Sequence, residues 1–232
     1  MPDSDLRDAS LIAVTSHEMR APLAAIRGFV DMLQRRRSEL SEAEIDEFLE
    51  VIATQTQRLI RLADDLVTME SLQDASLTIE HESIVLVPAI EQIVRDLPGG
   101  DRVEIRVSTD APPTIESDAL RLGQILTNLV TNALKYSDQE SAVTVEVAPG
   151  GEGCIDIAVI DHGIGIDLQE RDRVFEPFYR TTEGARAAEG SGLGLAISRR
   201  VAAALGGGIT AEPTPGGGTT FRLTLPVRAA AR

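Results

Sequence analysis

Four short stretches decide how the second half of this chain folds: Asn128-Leu129-Val130-Thr131-Asn132-Ala133-Leu134-Lys135-Tyr136, Asp161-His162-Gly163-Ile164-Gly165-Ile166, Phe175-Glu176-Pro177-Phe178-Tyr179-Arg180 and Gly190-Ser191-Gly192-Leu193-Gly194-Leu195. The first reads as helix, capped at Asp118 and ending near Tyr136. Asn128 and Asn132 stand at i, i+4 and share a face, with Lys135 close to it. Two amide oxygens and a lysine suit a hydrated magnesium carrying phosphates, and suit equally two surface amides on an amphipathic helix. In the second stretch a carboxylate ends a buried strand, and two glycines allow close approach to a flat ligand. The third holds three of the seven aromatics in the chain. Residues 181–190 follow it without periodicity and read as a lid. In the fourth, glycines open a helix and bring N–H groups and the positive dipole end toward phosphate. No Gly-Lys-Ser/Thr follows, so it is not a Walker loop.

Around these stretches the chain reads as an α+β sandwich, a mixed sheet with helices on one face. Strands are expected at 84–87, 103–107, 143–147, 155–160, 208–212 and 220–225. Helices are expected at 88–97, 118–136 and 191–205. Glycine marks the boundary with the first half: residues 1–98 hold one glycine, Gly28, and the remainder holds the other eighteen.

The first half has a different period. Ile12, Ser16, Met19, Leu23, Ile26, Val30 and Leu33 repeat with 4-3 spacing along a helix over 8–37, with Pro22 inside it as a kink or a loosened turn. Ser41-Glu42-Ala43-Glu44 has the form of a capping box and opens a second helix to about Leu72. Its seam is Ile45, Ile52, Leu59 and Leu66, with Phe48, Gln55, Leu62 and Met69 three residues on. Each helix thus carries one apolar stripe. Ser16 and Gln55 are polar layers in the seams. A lone hairpin leaves apolar surface uncovered, and two copies forming a four-helix bundle are the natural solution.

Composition excludes several classes. The chain has 232 residues, 43% apolar and 25% charged, enough apolar surface for a core. A net charge of −15 makes general nucleic-acid binding unfavourable. One cysteine, Cys154, excludes an internal disulfide and a multi-cysteine zinc site. No apolar run approaches the ~20 residues of a spanning helix, and the acidic start lacks a signal peptide's form. A cytoplasmic chain is expected, either whole or as the cytoplasmic portion of a larger, membrane-anchored protein.

In this order and spacing the four stretches resemble the N, G1, F and G2 boxes of the GHKL ATP-binding fold found in sensor histidine kinases. The terminal Gly216-Gly217-Gly218-Thr219-Thr220-Phe221 run fits the same resemblance. It implies ATP and Mg²⁺ as cofactors. Asn132 would ligate Mg²⁺, with Asn128 beside it. Lys135 and Tyr136 would contact phosphate and ribose. Asp161 would receive the adenine amine, and Gly163 and Gly165 would line its pocket. Arg180 would reach phosphate when the lid closes. Gly190, Gly192 and Gly194 would cradle phosphates. Thr219 would support the Asp161 end through water. Related ATPases place a glutamate where Asn128 stands; an asparagine cannot activate water, which favours transfer to an internal acceptor.

Ser16-His17-Glu18-Met19-Arg20-Ala21-Pro22-Leu23 resembles the H box of the dimerisation and phosphoacceptor domain of those kinases. His17 lies one residue off the seam, where a neutral ring nitrogen is available near pH 7. Glu18 is the candidate general base. His81 and His162 match no acceptor pattern. In this subfamily a Thr or Asn often stands four residues after the histidine and orients water for dephosphorylating the partner. Ala21 cannot do so, and weak phosphatase activity is expected.

The implied organisation is a dimerisation and histidine phosphotransfer domain over 8–74 and a catalytic ATP-binding domain over 80–228. The implied function is autophosphorylation of His17, then phosphoryl transfer to an aspartate of a response-regulator receiver domain. The implied partners are a second copy through 8–74 and that receiver. A serine kinase, an ATP-driven dimer clamp and a non-catalytic nucleotide-binding scaffold that docks a receiver are the competing readings.

Overall fold

The computed structural model describes residues 2–73, 77–187 and 191–228, without the side chains of residues 2–14, His17 and Gln73. The chain divides into two compact units, residues 1–70 and 71–232.

The first unit is a helical hairpin of α1 (Pro2–Arg36) and α2 (Glu42–Gln73). The turn is set by the capping box. The Ser41 N–H and Oγ both donate to Glu44 Oε2, at 2.8 and 2.7 Å, and the Glu44 N–H donates back to Ser41 Oγ at 3.3 Å. These bonds satisfy donors that the start of a helix otherwise leaves open, worth about 0.5–2 kcal/mol. Ring stacking across the hairpin joins Phe29 to Phe48, with centroids 5.1 Å apart.

Helix α1 contains Pro22, as the sequence indicates, and the Pro22 ring is buried. Thr15 and Pro22 are buried on α1, the seam residues Met19, Ile26, Val30 and Leu33 are half-buried like Phe29, and Leu23, also in the seam, is 51% exposed in the single chain. Seven residues fall about 20° short of two helical turns, so a heptad seam drifts slowly around a straight helix. Finally, α2 carries a second apolar stripe, with Leu49, Ile60 and Val67 on its exposed side.

The second unit begins with a two-stranded antiparallel sheet, β1 (Glu82–Val85) against β3 (Thr114–Ser117), in which Ile84 faces Ile115. Strand β3 has only four residues and gives too short an alternation to read from sequence. Helix α3 (Leu86–Arg95) starts two residues before Pro88. A proline in the first turn removes an N–H that has no intrahelical partner there. Leu86, Ile90 and Val94, at i, i+4 and i+8, are its buried face.

The main sheet has five strands: β2 (Val103–Val107), β4 (Val143–Pro149), β5 (Cys154–Ile160), β6 (Gly208–Pro213) and β7 (Thr219–Pro226), in the order β2-β4-β5-β7-β6. Only β2 and β4 pair in parallel; the other neighbours are antiparallel. Helix α4 (Ala119–Tyr136) packs on β4 and β5 and against α3 and α6 (Gly194–Ala204). Leu122, Ile125, Leu126, Leu129, Val130 and Ala133 form its buried face. Each large member contributes about 1.5–3 kcal/mol of burial. Asp118 caps α4 as expected, accepting from the Arg121 N–H at 3.0 Å through Oδ1 and from the Glu80 N–H at 3.0 Å through Oδ2.

Within the stretch expected as a lid, residues Thr182–Ala187 form helix α5. Its start is capped by Thr181, whose Oγ1 accepts from the Gly184 N–H at 2.9 Å. No helix among the described residues is long and apolar enough to cross a membrane.

Candidate nucleotide site

Asp161 follows the last residue of β5, and the first residue of β7, Thr219, lies beside it. The register that pairs Ile160 with Thr220 continues one step further, where the Asp161 N–H donates to the Thr219 carbonyl at 2.9 Å. Asp161 Oδ1 then accepts two backbone N–H groups, Gly163 at 2.9 Å and Thr219 at 3.0 Å. Thr219 supports Asp161 directly through its backbone N–H. Both bonds fall on Oδ1, which leaves Oδ2 to accept from a ligand amine. Burial pushes the Asp161 carboxyl above the ordinary carboxylate range, with the two N–H donors pulling the other way.

The glycines of this site act by proximity. A Cβ on Gly163 would overlap the Tyr136 carbonyl, and the Ile164 N–H donates to that same oxygen at 3.4 Å. The end of α4 is thereby fastened to the turn after β5. Gly218 has φ +101°, and a Cβ there would overlap the Asp161 carbonyl. The terminal glycine run thus contributes a residue to the Asp161 corner, one that its sequence context marks without giving it a role. Gly165 also lies against Gly218.

Asn128 and Asn132 share one flank of α4 as their spacing predicts, with the Asn132 Nδ2 donating to Asn128 Oδ1 at 3.5 Å. Asn128 Nδ2 in turn donates to Ser198 Oγ on α6 at 2.9 Å. Gly194, the first residue of α6, packs on this amide so closely that a Cβ would overlap Asn128 Oδ1. Both ends of the Asn128 amide are engaged by protein, and its position joins α4 to α6. Ser198 is 1% exposed, and nothing in the sequence pattern points to it.

Helix α6 begins at Gly194, later than the expected 191, because Gly192 has φ +71° and lies outside a right-handed helix. Gly192 meets the aromatic stretch. Its carbonyl accepts the Phe178 N–H at 2.9 Å, and a Cβ would lie 2.8–3.1 Å from Phe178 backbone atoms. Phe178 is the only non-glycine residue with positive φ among those described, at +63°. Such a conformation costs about 1–2 kcal/mol and is held here by its surroundings. Nearby, Tyr179 donates to Glu170 at 2.6 Å and Arg173 stacks 4.3 Å from the Tyr179 ring. The Arg180 guanidinium donates to the Gly184 carbonyl at 3.0 Å, so it braces the lid helix. Lys135 Nζ sits 5.1 Å from the Tyr136 ring centroid. Gly190 lies outside the described residues.

No group of three or more His, Cys, Asp or Glu side chains among the described residues is placed to hold a metal. Neutral amide oxygens on α4 suit a cation that arrives already coordinated by phosphates and water, and magnesium has that preference.

In the hairpin, His17 lies on α1 and its side chain is outside the described set. Glu18 faces Arg58 of α2 with a separation of 3.7 Å, both side chains about 30% exposed.

Comparison with known proteins agrees with this geometry. Residues 8–75 match the His Kinase A (phospho-acceptor) domain family, and residues 117–229 match the histidine kinase-, DNA gyrase B- and HSP90-like ATPase family. Sensor histidine kinase WalK of Bacillus subtilis is 33% identical over 229 residues, covering 97% of this chain and 37% of the relative. Sensor-like histidine kinase SenX3 of Mycobacterium tuberculosis is 37% identical over 220 residues, covering 93% of this chain and 53% of the relative. The crystal structure of full-length ShkA in complex with AMPPNP superposes with a TM-score of 0.68 at 27% identity, covering 96% of this chain and 47% of that one. The chain thus spans between about a third and a half of these relatives. With an ATP-binding domain after a phospho-acceptor helical hairpin, the chain belongs to the sensor histidine kinase family.

Proposed function

We propose that the second unit binds Mg·ATP, that the γ-phosphoryl passes to His17, and that it then passes to an aspartate of a receiver domain. The observation that most supports the nucleotide reading is the buried Asp161, with Oδ1 saturated by backbone N–H groups and Oδ2 left to accept an exocyclic amine. Asp161 orients the adenine. Asn132 offers its amide oxygen to the magnesium, which neutralises charge on the phosphates when bound. Lys135 and the glycines at 192 and 194 face the phosphates. Arg180 is freed for them if the lid helix shifts. A neutral ring nitrogen of His17 attacks the γ-phosphorus as the bond to the β,γ-bridging oxygen breaks and ADP leaves. Glu18 holds or takes the proton on the other ring nitrogen. Asn128, engaged at both ends and unable to act as a base, disfavours hydrolysis by water.

A second copy of the hairpin is the proposed cover for Leu23, Leu49, Ile60 and Val67, which are 47–63% exposed in the single chain. ATP as substrate puts both units on the cytoplasmic side. The receiver would dock on the paired helices beside His17.

The test is incubation with γ-labelled ATP and Mg²⁺, comparing native protein with His17→Gln and Asn132→Ala. Label that is acid-labile and base-stable, and is absent in both variants, is the expected result. Label that survives His17→Gln would overturn the acceptor assignment. Bound ATP with no label in the native protein would favour the scaffold reading.

A further inference from the structure

An asparagine amide has a donor end and an acceptor end, and only the acceptor end can face a cation. Which end points outward depends on what holds the other, and on that group staying in place. Asn132 Nδ2 is held by Asn128 Oδ1 at 3.5 Å, and Asn128 Nδ2 is held by Ser198 Oγ at 2.9 Å. Ser198 is buried to 1% exposure on α6, one turn after Gly194, whose bare Cα lets α6 approach Asn128 at all. The chain of bonds has a direction. With its Nδ2 committed to Ser198, Asn128 turns Oδ1 toward Asn132. Asn132 then commits its own Nδ2 to that oxygen and turns Oδ1 away from Asn128.

We propose that Ser198 is a positioning residue for nucleotide-borne magnesium. By tethering the Asn128 amide, it holds in place the oxygen on which Asn132 rests and so keeps the Asn132 amide placed beside the cation. The proposal rests on the reading of Asn132 as the metal-facing residue. Without the Ser198 hydroxyl, Asn128 keeps a half-buried Nδ2 with no acceptor. The untethered amide turns, and where it presents Nδ2 to Asn132 the latter accepts with Oδ1 and shows the cation a donor. Groups that orient a metal ligand from behind typically contribute 10–100-fold in metal affinity.

The experiment is calorimetric titration of ADP into the full chain with Mg²⁺ and with EDTA, for native protein, Ser198→Ala, Ser198→Thr and Asn132→Ala. Ser198→Ala is expected to weaken binding about tenfold in Mg²⁺ and less than twofold in EDTA. Ser198→Thr keeps the hydroxyl and is expected to retain the native Mg²⁺ dependence. Equal weakening of Ser198→Ala in both conditions, no weakening in either, or a threonine variant as impaired as the alanine variant would each overturn the positioning role. If Asn132→Ala keeps the native Mg²⁺ dependence, the reading of Asn132 itself falls. That outcome is distinct, because it is read on Asn132→Ala and not on the Ser198 variants.

Discussion

Replacing Asp161 by Asn separates what this carboxylate does for the ligand from what it does to the fold. Asparagine keeps an oxygen at Oδ1, where the Gly163 and Thr219 N–H groups donate at 2.9 and 3.0 Å. It puts an amide donor where Oδ2 was. A hydrogen bond from the adenine amine to a charged acceptor is worth about 1.5–3 kcal/mol. Its loss, together with two donors now facing each other, sums to about 3–4 kcal/mol. At 1.4 kcal/mol per decade that is roughly a hundredfold to a thousandfold in ADP affinity. Stability should move the other way. Burial holds the Asp161 carboxyl above its ordinary 3.8, so the folded state binds the proton more tightly than the unfolded chain. The contribution of Asp161 is therefore full below that ordinary value and is lost as pH rises through the raised one. Asparagine has no charge to bury, so its stability relative to native should rise between pH 4 and pH 8. Calorimetry with ADP and denaturant unfolding at both pH values check the two halves. A folded variant that binds ADP within threefold of native would refute the adenine role. A variant whose relative stability falls from pH 4 to pH 8 would refute the burial argument.

Gly192→Ala should loosen the lid anchor. It forces a side chain into φ +71° and against Phe178 backbone atoms that have little room to shift, at a cost of about 1–2 kcal/mol for the conformation alone. Faster amide exchange at Phe178 and faster proteolysis near 181–187 are expected, while Gly151→Ala, with nothing within 4 Å, should change neither. Asp65→Asn should stabilise the helical hairpin above pH 6. Burial first, then the neighbouring Asp64, pushes the Asp65 carboxyl to about 6, against a smaller opposing effect of Arg61. Reduced for the partial exposure of this group, the gain is about 1–2 kcal/mol at pH 8 and nearly nothing at pH 4, read from thermal melts across that range. An equal gain at both ends would remove titration of Asp65 as its cause.

The features legible in the sequence are those whose partners lie within one turn. Asp118 and the Ser41–Glu44 box read as caps because donor and acceptor sit three residues apart, and the structure has the bonds. The shared flank of Asn128 and Asn132 on α4 reads from their i, i+4 spacing. Contacts between distant segments gave no such signal. Ser198 meets Asn128 across 70 residues, and Thr219 meets Asp161 across 58. No local pattern points to the first, and the second is reached only through the family resemblance, because no local pattern brings the start of one strand to the end of another.

Glycine usage ties the two levels together. A Cβ would strike Tyr136 from Gly163, Phe178 from Gly192, Asn128 from Gly194 and Asp161 from Gly218. Each of these glycines belongs to one conspicuous stretch and touches another. The turn after β5 is fastened to the end of α4, the aromatic stretch to the loop before α6, α6 to α4, and the β7 entry to Asp161. This is a physical reason why the four stretches carry meaning together that none carries alone: their spacing in sequence reflects a set of mutual contacts in space. It also states what a damaging substitution in one of them should do. The injury should appear at the stretch it touches as well as at its own, so Gly194→Ala should disturb the Asn128–Ser198 bond on α4 while the hydrogen bonds around Asp161 stay intact.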